Sequence, residues 1–301
     1  MPTMVDSAGI SSCKKRVCNE VSLPVIYNGL PLRHELKYYI PYADYMAMRG
    51  RLSAFMLPDE HMDDLNGYHV RSLYFDDPAY SARFEKINGY RNRSKTRVRI
   101  YNKSLGLIRL EKKIKLSGVV GKRTAELTQK ELSAILDNDT GILLQSQSPV
   151  VHEFYADQKL RRLRPVVLVD YVREAYKFTA GNVRITFDHD LQGAVGDFDH
   201  SLSDEGLICR NAYPPGLVMM EVKYDDFLPA AVKRIIRPYT ARRSAVSKYV
   251  LALKAVRIGE IYGVGGLFPA IRASHIDADD SAPSGDADTG DSGRAVHILH
   301  L

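Results

Sequence analysis

Charged and apolar residues alternate along residues 218–224, which read Val-Met-Met-Glu-Val-Lys-Tyr. Because successive side chains of a β-strand point to opposite faces, a strand here places Glu221 and Lys223 on one face. Val218, Met220 and Val222 then lie on the other face, which we expect to be packed. A carboxylate beside an ammonium group is found both on solvent-exposed faces and in binding sites, and this segment alone does not distinguish the two.

The same alternation recurs in four further segments, so charged strand faces are a property of the whole sequence. These segments carry charged or polar residues at every second position: Arg33, Glu35 and Lys37; Arg97 and Arg99; Arg109, Glu111, Lys113 and Lys115; and Arg184, Thr186 and Asp188. Two arrangements accommodate them. Each charged face is solvated, as on an ordinary antiparallel sheet, or the strands curl and the charged faces line a shared lumen.

The residue types on these faces suit phosphate chemistry. Arginine is planar and permanently charged, so it pairs with phosphate oxygens through two parallel hydrogen bonds. A carboxylate among such cations is badly placed for an anion unless a divalent cation lies between them, and Mg²⁺ or Mn²⁺ takes one or two carboxylates plus substrate phosphates. Phosphoryl transfer requires little more than this positioning, without a covalent nucleophile.

Other chemistries have no support in the sequence. No Ser-His-Asp or Cys-His arrangement is present that would favour nucleophilic catalysis. The glycine-rich run at residues 263–266 lacks the Lys-Ser/Thr of a phosphate-binding loop. The nine histidines are scattered, which argues against a zinc site.

Composition and charge bound the class of protein. The net charge of +6 comes largely from residues within the predicted strands, which favours an anionic ligand held by the fold over attraction to nucleic acid. Three cysteines without paired spacing indicate a reducing compartment, and the cytoplasm is the expected location. No apolar run approaches the length of a bilayer span, so we expect no direct membrane span.

We divide the chain into a loosely ordered leader at residues 1–28, a folded, strand-rich domain at 29–258 and a mostly disordered tail at 259–301. Helices are predicted at 42–55, at 128–136 with a Thr128/Glu131 capping box, and at 244–256 with Ser247 and Lys248 near its start. Asp188 and Asp190 are interpreted as a turn at the end of a strand rather than as a second carboxylate site.

The order of these motifs resembles that of the VTC domain. This domain is the catalytic unit of the vacuolar transporter chaperone polyphosphate polymerase and a member of the triphosphate tunnel metalloenzymes. The resemblance covers about residues 30–256 and rests on an ordered set of motifs: Arg33-x-Glu35-x-Lys37-Tyr38, Ser72-x-Tyr74-x-Asp76, Arg97-x-Arg99, Glu111-x-Lys113, Arg173, Arg184, Glu221-x-Lys223 and Ser247-Lys248-Tyr249. It implies an α+β fold, in which an antiparallel eight-stranded β-tunnel (barrel) is flanked by helices.

The resemblance also implies residue roles. The cations that hold and activate the phosphates are Lys37, Arg97, Arg99, Lys113, Arg173, Arg184, Lys223 and Lys248, with Arg33, Tyr74 and Ser247 beside them. Glu221 and Glu111 are the implied metal ligands. The residues themselves leave open that Glu111 only pairs with Lys113 or a neighbouring arginine, and that Glu221 only pairs with Lys223 or Arg184.

The function implied by the resemblance is metal-dependent transfer of the γ-phosphoryl group of ATP onto a growing polyphosphate chain. Its implied cofactor is Mn²⁺ or Mg²⁺, and its partners are ATP or another nucleoside triphosphate and inorganic polyphosphate, with no nucleic acid. Two alternatives stay open at this stage. One is a triphosphatase or polyphosphatase of the same fold, and the other is a polyphosphate-binding module without catalysis.

Overall fold

The computed structural model describes residues 25–62, 67–195, 202–203 and 209–262. Twelve strands lie within these ranges: β1 Val25–Tyr27, β2 Leu30–Leu32, β3 His34–Pro41, β4 Leu57–Pro58, β5 Tyr68–Asp76, β6 Arg93–Tyr101, β7 Ser104–Leu116, β8 Val119–Leu127, β9 Arg164–Phe178, β10 Val183–Ala194, β11 Arg210–Asn211 and β12 Leu217–Tyr224. Most of the predicted leader and all but four residues of the predicted tail lie outside the described residues, so those domain limits stay predictions.

Six helices accompany the strands in the same ranges: α1 Tyr42–Ser53, α2 Ser81–Ile87, α3 Gln129–Leu136, α4 Pro149–Arg161, α5 Ala230–Ile236 and α6 Lys248–Tyr262. Short 3-10 turns lie at Thr140–Gln145, Ala180–Asn182 and Arg237–Arg242. The predicted capping box is present at α3, where Thr128 accepts from the Glu131 backbone and Glu131 accepts from the Thr128 backbone. Helix α6 begins at Lys248 instead of Ser244.

Eight strands form one antiparallel sheet in the order β3-β12-β10-β9-β5-β6-β7-β8, with β4 and β11 attached to its middle strands. The sheet curls into a half-barrel. Its two edges approach each other where Arg33, directly before β3, forms a backbone bridge to Val120 of β8, with N···O distances of 3.0 and 2.9 Å. The predicted fold class, a curled eight-stranded antiparallel sheet with flanking helices, is confirmed.

Helices cover the outer face of the sheet in two separate apolar cores. Helices α3 and α4 cover β6, β7 and β8, where Leu132 and Phe154 pack with Val98 and Leu110. Helices α1 and α5 cover β3, β12 and β10, and their core includes Met48 among its buried side chains. Because both cores take up the outward apolar positions, the charged positions of the same strands face the concave side.

Helix α6 lies against the concave side. Its residues Tyr249 and Ala252 pack with Tyr74 and Val169, which are on the same face as the charged side chains. The approach to β10 is close, because a Cβ added at Gly193 would lie 2.9 Å from both the Cβ and the carbonyl oxygen of Ala252. Glycine at this position therefore lets the start of α6 reach the lumen.

Candidate phosphate-binding lumen

The sheet register brings charged residues of distant segments directly opposite one another. Lys37 on β3 lies opposite Glu221 on β12, and Glu221 in turn lies opposite Thr186 on β10. On the other side of the half-barrel, Arg97 on β6 lies opposite Glu111 on β7. The charged faces therefore share one lumen.

Glu221 lies among four cations. Its carboxylate is 2.7 Å from the Lys248 ammonium, 3.0 Å from that of Lys223 and 3.3 Å from that of Lys37. The Arg173 guanidinium is 3.8 Å away. Burial opposes ionisation of Glu221, but these cations, Lys248 first, hold its pKa well below the usual range. The carboxylate is therefore charged at neutral pH despite its burial.

Asp188 is the second lumen carboxylate after Glu221, and its main partner is Arg173. The two side chains share a bidentate pair at 2.6 and 2.7 Å, and the Lys248 ammonium lies 2.6 Å from the same carboxylate. Asp188 is fully buried. Its interpretation as a turn residue was wrong, because β10 continues beyond it to Ala194. Asp190 occupies the irregularity in this strand instead, with a φ of 54° and an exposed side chain.

Glu111 is the third lumen carboxylate. The Arg97 guanidinium contacts it through Nε at 2.7 Å and Nη2 at 2.6 Å, and the Lys122 ammonium contacts its other oxygen. Burial raises the pKa of Glu111, but Arg97, Arg99 and Lys122 outweigh it and hold that pKa well below the usual range. Glu111 thus pairs with arginine, as one sequence interpretation had it, and its role as a metal ligand stays a prediction.

Arg99 differs from Arg97 because its main partners are hydroxyl groups. It donates to Ser72 Oγ at 3.0 Å and to the Tyr171 hydroxyl at 3.1 Å, while Glu111 is 3.8 Å away. Tyr74 accepts from Arg97 at 2.8 Å. A guanidinium held mainly by neutral oxygens keeps more of its charge available to an incoming anion than one that contacts a carboxylate through two of its nitrogens.

Glu35 completes the acidic set. Its carboxylate lies 3.0 Å from the Lys37 ammonium and 2.8 Å from that of Lys113. Lys37 therefore bridges Glu35 and Glu221, which lie on neighbouring strands. We call these four carboxylates and the cations that contact them the acid-paired region; its members are Glu35, Glu111, Asp188, Glu221, Lys37, Arg97, Arg99, Lys113, Lys122, Arg173, Lys223 and Lys248.

Seven of the eight cations predicted from the family resemblance belong to the acid-paired region. Arg184 is held apart from it, because it pairs with Asp59 at 2.8 Å and donates to the Tyr68 hydroxyl at 3.1 Å. Arg33 contributes the backbone bridge to Val120. Ser247 accepts a hydrogen bond from Lys95 at 2.7 Å, directly before Lys248.

The structure adds lumen residues that the sequence reading did not select as site residues. They are Glu35, Lys95, Lys122, Tyr171, Thr186 and Asp188. The alternation of charged and apolar residues could have identified Glu35 and Asp188, because each shares a strand face with a residue that was selected. Lys95 shares the face of Arg97, but it lay at the limit of the predicted strand. Lys122 and Tyr171 have no distinguishing sequence signal.

The lumen carboxylates suit a hard divalent cation. Glu221 shares Lys37 with Glu35 and shares Lys248 with Asp188, so these three carboxylates are near neighbours. The Thr186 hydroxyl lies opposite Glu221 in register, is fully buried and has no hydrogen-bond partner in the described structure. Because Mg²⁺ and Mn²⁺ prefer oxygen ligands and few carboxylates, Glu221 with Thr186 nearby fits such an ion.

A separate group of possible metal ligands lies outside the acid-paired region. Asp59, Glu60 and His61 place one ligand atom each within 4.8 Å of one another. Asp59 is already paired with Arg184 at 2.8 Å and Lys177 at 3.5 Å. Adjacent acidic residues of this kind are common without an ion, and we assign this group no role.

Comparison with known proteins identifies the family. The VTC domain model matches residues 32–257, and the chain belongs to the VTC domain family. No curated protein matches it. Among the described residues, no helix is both long and apolar enough to cross a membrane. The predicted cytoplasmic location stays a prediction.

Solved structures with similar folds share little sequence with the chain. A Hippeastrum protein, described as a candidate adenylyl cyclase with a dominant triphosphatase activity, is 15% identical with a TM-score of 0.43, covering 74% of this chain and 95% of that one. A candidate adenylate cyclase of Bacillus halodurans is 11% identical with a TM-score of 0.43, covering 73% and 95%. One of Vibrio parahaemolyticus is 11% identical with a TM-score of 0.41, covering 73% and 97%.

Proposed function

We propose that this protein is a polyphosphate polymerase that transfers the γ-phosphoryl group of ATP onto an inorganic polyphosphate chain in the lumen, with Mn²⁺ or Mg²⁺. The observation that carries the proposal is the acid-paired region, in which eight cations surround four ionised carboxylates on the concave face of a VTC-family fold. The excess of positive charge suits a highly charged anion.

The reaction requires no protein nucleophile. A terminal oxygen of the polyphosphate chain attacks the γ-phosphorus of ATP, a new P–O–P bond forms, and the bond from the γ-phosphorus to the β,γ-bridging oxygen breaks. ADP leaves with that oxygen. Because the attacking phosphate oxygen is already ionised at neutral pH, positioning and charge stabilisation supply most of the catalysis.

The residues of the lumen divide this work. Arg97 and Arg99 present guanidinium groups from neighbouring positions of one strand face, which suits phosphate oxygens in the transition state. Lys37 and Lys248 bridge carboxylates before substrate arrives, and this holds their ammonium groups in the lumen. Glu221 would hold the divalent cation, which neutralises charge on the phosphates when bound.

The decisive assay incubates the purified full chain with ATP and Mn²⁺ or Mg²⁺ and follows both polyphosphate on a gel and released phosphate. Glu221→Gln is the test variant. Glu153→Gln is its matched control, because Glu153 also pairs with cations, Lys112 at 3.0 Å and Arg123 at 3.1 Å, but on the outer face. We expect chains from the wild type and the control, and none from Glu221→Gln.

Other outcomes would redirect the assignment. Free phosphate without chains would make the protein a triphosphatase. Tight binding of polyphosphate with neither product would make it a binding module. Wild-type rates in Glu221→Gln would remove that residue from the reaction centre.

A further inference from the structure

A second group of cations lies beside the acid-paired region. Arg93 on β6 lies opposite Lys115 on β7, and Lys95 lies opposite Lys113. Helix α2 packs against β6 and carries Lys86 in its last turn. We call Lys86, Arg93, Lys95 and Lys115 the outer cation cluster. Its three strand residues occupy the same face as Arg97 and Glu111, because they are an even number of positions away.

The outer cation cluster has few carboxylates to neutralise it. Among the described residues, Lys86, Lys95 and Lys115 form no ion pair, whereas each cation of the acid-paired region lies within 4 Å of a carboxylate. Arg93 donates to the backbone carbonyl of Tyr90. Its guanidinium has one acidic neighbour in its electrostatic surroundings, Glu85.

Lys95 is the most enclosed member of this cluster. Its ammonium donates to Ser247 Oγ at 2.7 Å and lies 5.0 Å from the centre of the Tyr249 ring. Burial lowers the pKa of Lys95 well below its usual value, and the neighbouring cations Lys37 and Lys86 lower it further. Burial and like charges oppose the charged form of Lys95, whereas an anion bound beside it would favour that form.

The cation row on β6 is longer than one triphosphate group. Arg93, Lys95, Arg97 and Arg99 occupy every second position of one strand face. Six residue steps at the rise of a β-strand place the first and last Cα atoms about 20 Å apart. Lys95 also links the two regions, because Ser247 directly precedes Lys248 of the acid-paired region.

We propose that the outer cation cluster is a second phosphate-binding site, which holds the part of an inorganic polyphosphate chain that extends beyond the triphosphate in the acid-paired region. This inference rests on the proposed function, and it adds a direction to it. On this proposal, the acceptor polyphosphate chain extends from the reaction centre near Glu221 towards the start of β6 and helix α2.

The test compares two ligands, tripolyphosphate and a long polyphosphate, by titration calorimetry on the full chain without ATP. The variant is Arg93→Gln with Lys115→Gln. Its control is Lys130→Gln with Lys159→Gln, which removes two exposed cations from the outer helices α3 and α4. Circular dichroism and urea unfolding verify that both double variants fold.

We expect the Arg93/Lys115 variant to bind long polyphosphate about tenfold more weakly, because two partly exposed charged contacts are lost and solvent screens each of them. It should bind tripolyphosphate as the wild type does. The control should bind both ligands normally. An equal loss for both ligands would make the cluster part of the triphosphate site, and no loss would make it a solvated face; either result overturns the proposal. The proposed function would fail on a different observation. In that case the wild type would bind long polyphosphate at both regions but would make no polyphosphate from ATP.

Discussion

The acid-paired region and the outer cation cluster use the same residue types on the same strand faces and differ in their counter-charges. In the first, a buried carboxylate such as Glu221 touches several cations, so the geometry is set before any ligand arrives. In the second, Arg93 faces Lys115 and Lys95 faces Lys113. The paired charges of the acid-paired region are suited to positioning a substrate, whereas the unpaired cations of the outer cluster are suited to attracting it.

Removing a charge should lower the free energy of unfolding in the acid-paired region and raise it in the outer cation cluster. Removing a charge from the acid-paired region leaves a buried partner uncompensated, which destabilises a fold strongly. Removing a charge from the outer cation cluster relieves repulsion between like charges. The predictions below probe this contrast, from the largest expected effect to the smallest.

Asp188→Asn should lower the free energy of unfolding by about 3–5 kcal/mol, because it leaves the buried Arg173 guanidinium without its carboxylate. Urea unfolding of the ligand-free protein measures the change. Asp157→Asn is the control, since Asp157 pairs with Lys112 at 2.7 Å on the outer side, and we expect about 1 kcal/mol or less there. Similar losses in both variants would contradict a special contribution of the lumen pair.

Arg97→Ala should weaken ATP binding by about 1.5–3 kcal/mol, the range for a hydrogen bond to a charged group, or about tenfold to a hundredfold in affinity. The same change at Arg184 is expected to weaken binding, since the resemblance assigns both residues to the phosphates. Calorimetry with a non-hydrolysable ATP analogue measures this. Arg123→Ala, on the outer face beside Glu153, serves as the control. Unchanged affinity in both lumen variants would remove those two arginines from the phosphate site.

The affinity for long polyphosphate should fall as pH rises through about 8. Burial, and then Arg93, Lys115 and Lys37, lower the pKa of Lys86 to about 8. Below this pKa the ammonium is charged and attracts phosphate, and above it the amine is neutral. We expect a fall of about threefold between about one unit below and one unit above it, since the partly exposed site is screened.

Lys86→Arg supplies the matched control for this pH dependence. Arginine keeps its charge across the whole range, so the affinity of this variant for long polyphosphate should fall less than that of the wild type between about pH 7 and 9. A remaining decrease would come from Lys95, whose pKa is also lowered. Lys86→Met should bind weakly at every pH. A wild-type decrease that persists unchanged in Lys86→Arg would assign the titration to another group.

Lys115→Gln should raise the free energy of unfolding by about 0.5 kcal/mol, because it removes one of two like charges that lie directly opposite each other on β6 and β7. Urea unfolding of the ligand-free protein measures this increase. Binding of long polyphosphate should weaken in the same variant. A loss of stability together with a loss of binding would indicate an ordinary structural residue.

The sequence predicted features that depend on local spacing. The alternation at residues 218–224 correctly placed Glu221 and Lys223 on one face of β12. The Thr128/Glu131 capping box depends on four consecutive residues and is present at α3. The curled sheet itself came from the family resemblance, since alternation allowed solvated faces equally well.

Contacts that depend on strand register could not be predicted. Lys37 bridges Glu35 and Glu221 because β3 pairs with β12, and nothing in either segment specifies that pairing. Asp188 was misinterpreted because the strand was expected to end near it, whereas β10 passes through an irregularity and continues to Ala194. Lys95 was missed because the strand was expected to begin there, whereas it begins at Arg93.

The sheet order has a consequence for the synthesis of the protein. Strand β3 pairs along its length with β12, although about 180 residues of chain separate them. During translation, β3 is synthesised long before its partner β12, and Lys248 is synthesised after both. The carboxylates and cations of the reaction centre therefore cannot assemble on a partial chain, and folding should be slow, as is usual for long-range strand pairing. A nascent chain would acquire its phosphate site in one late step.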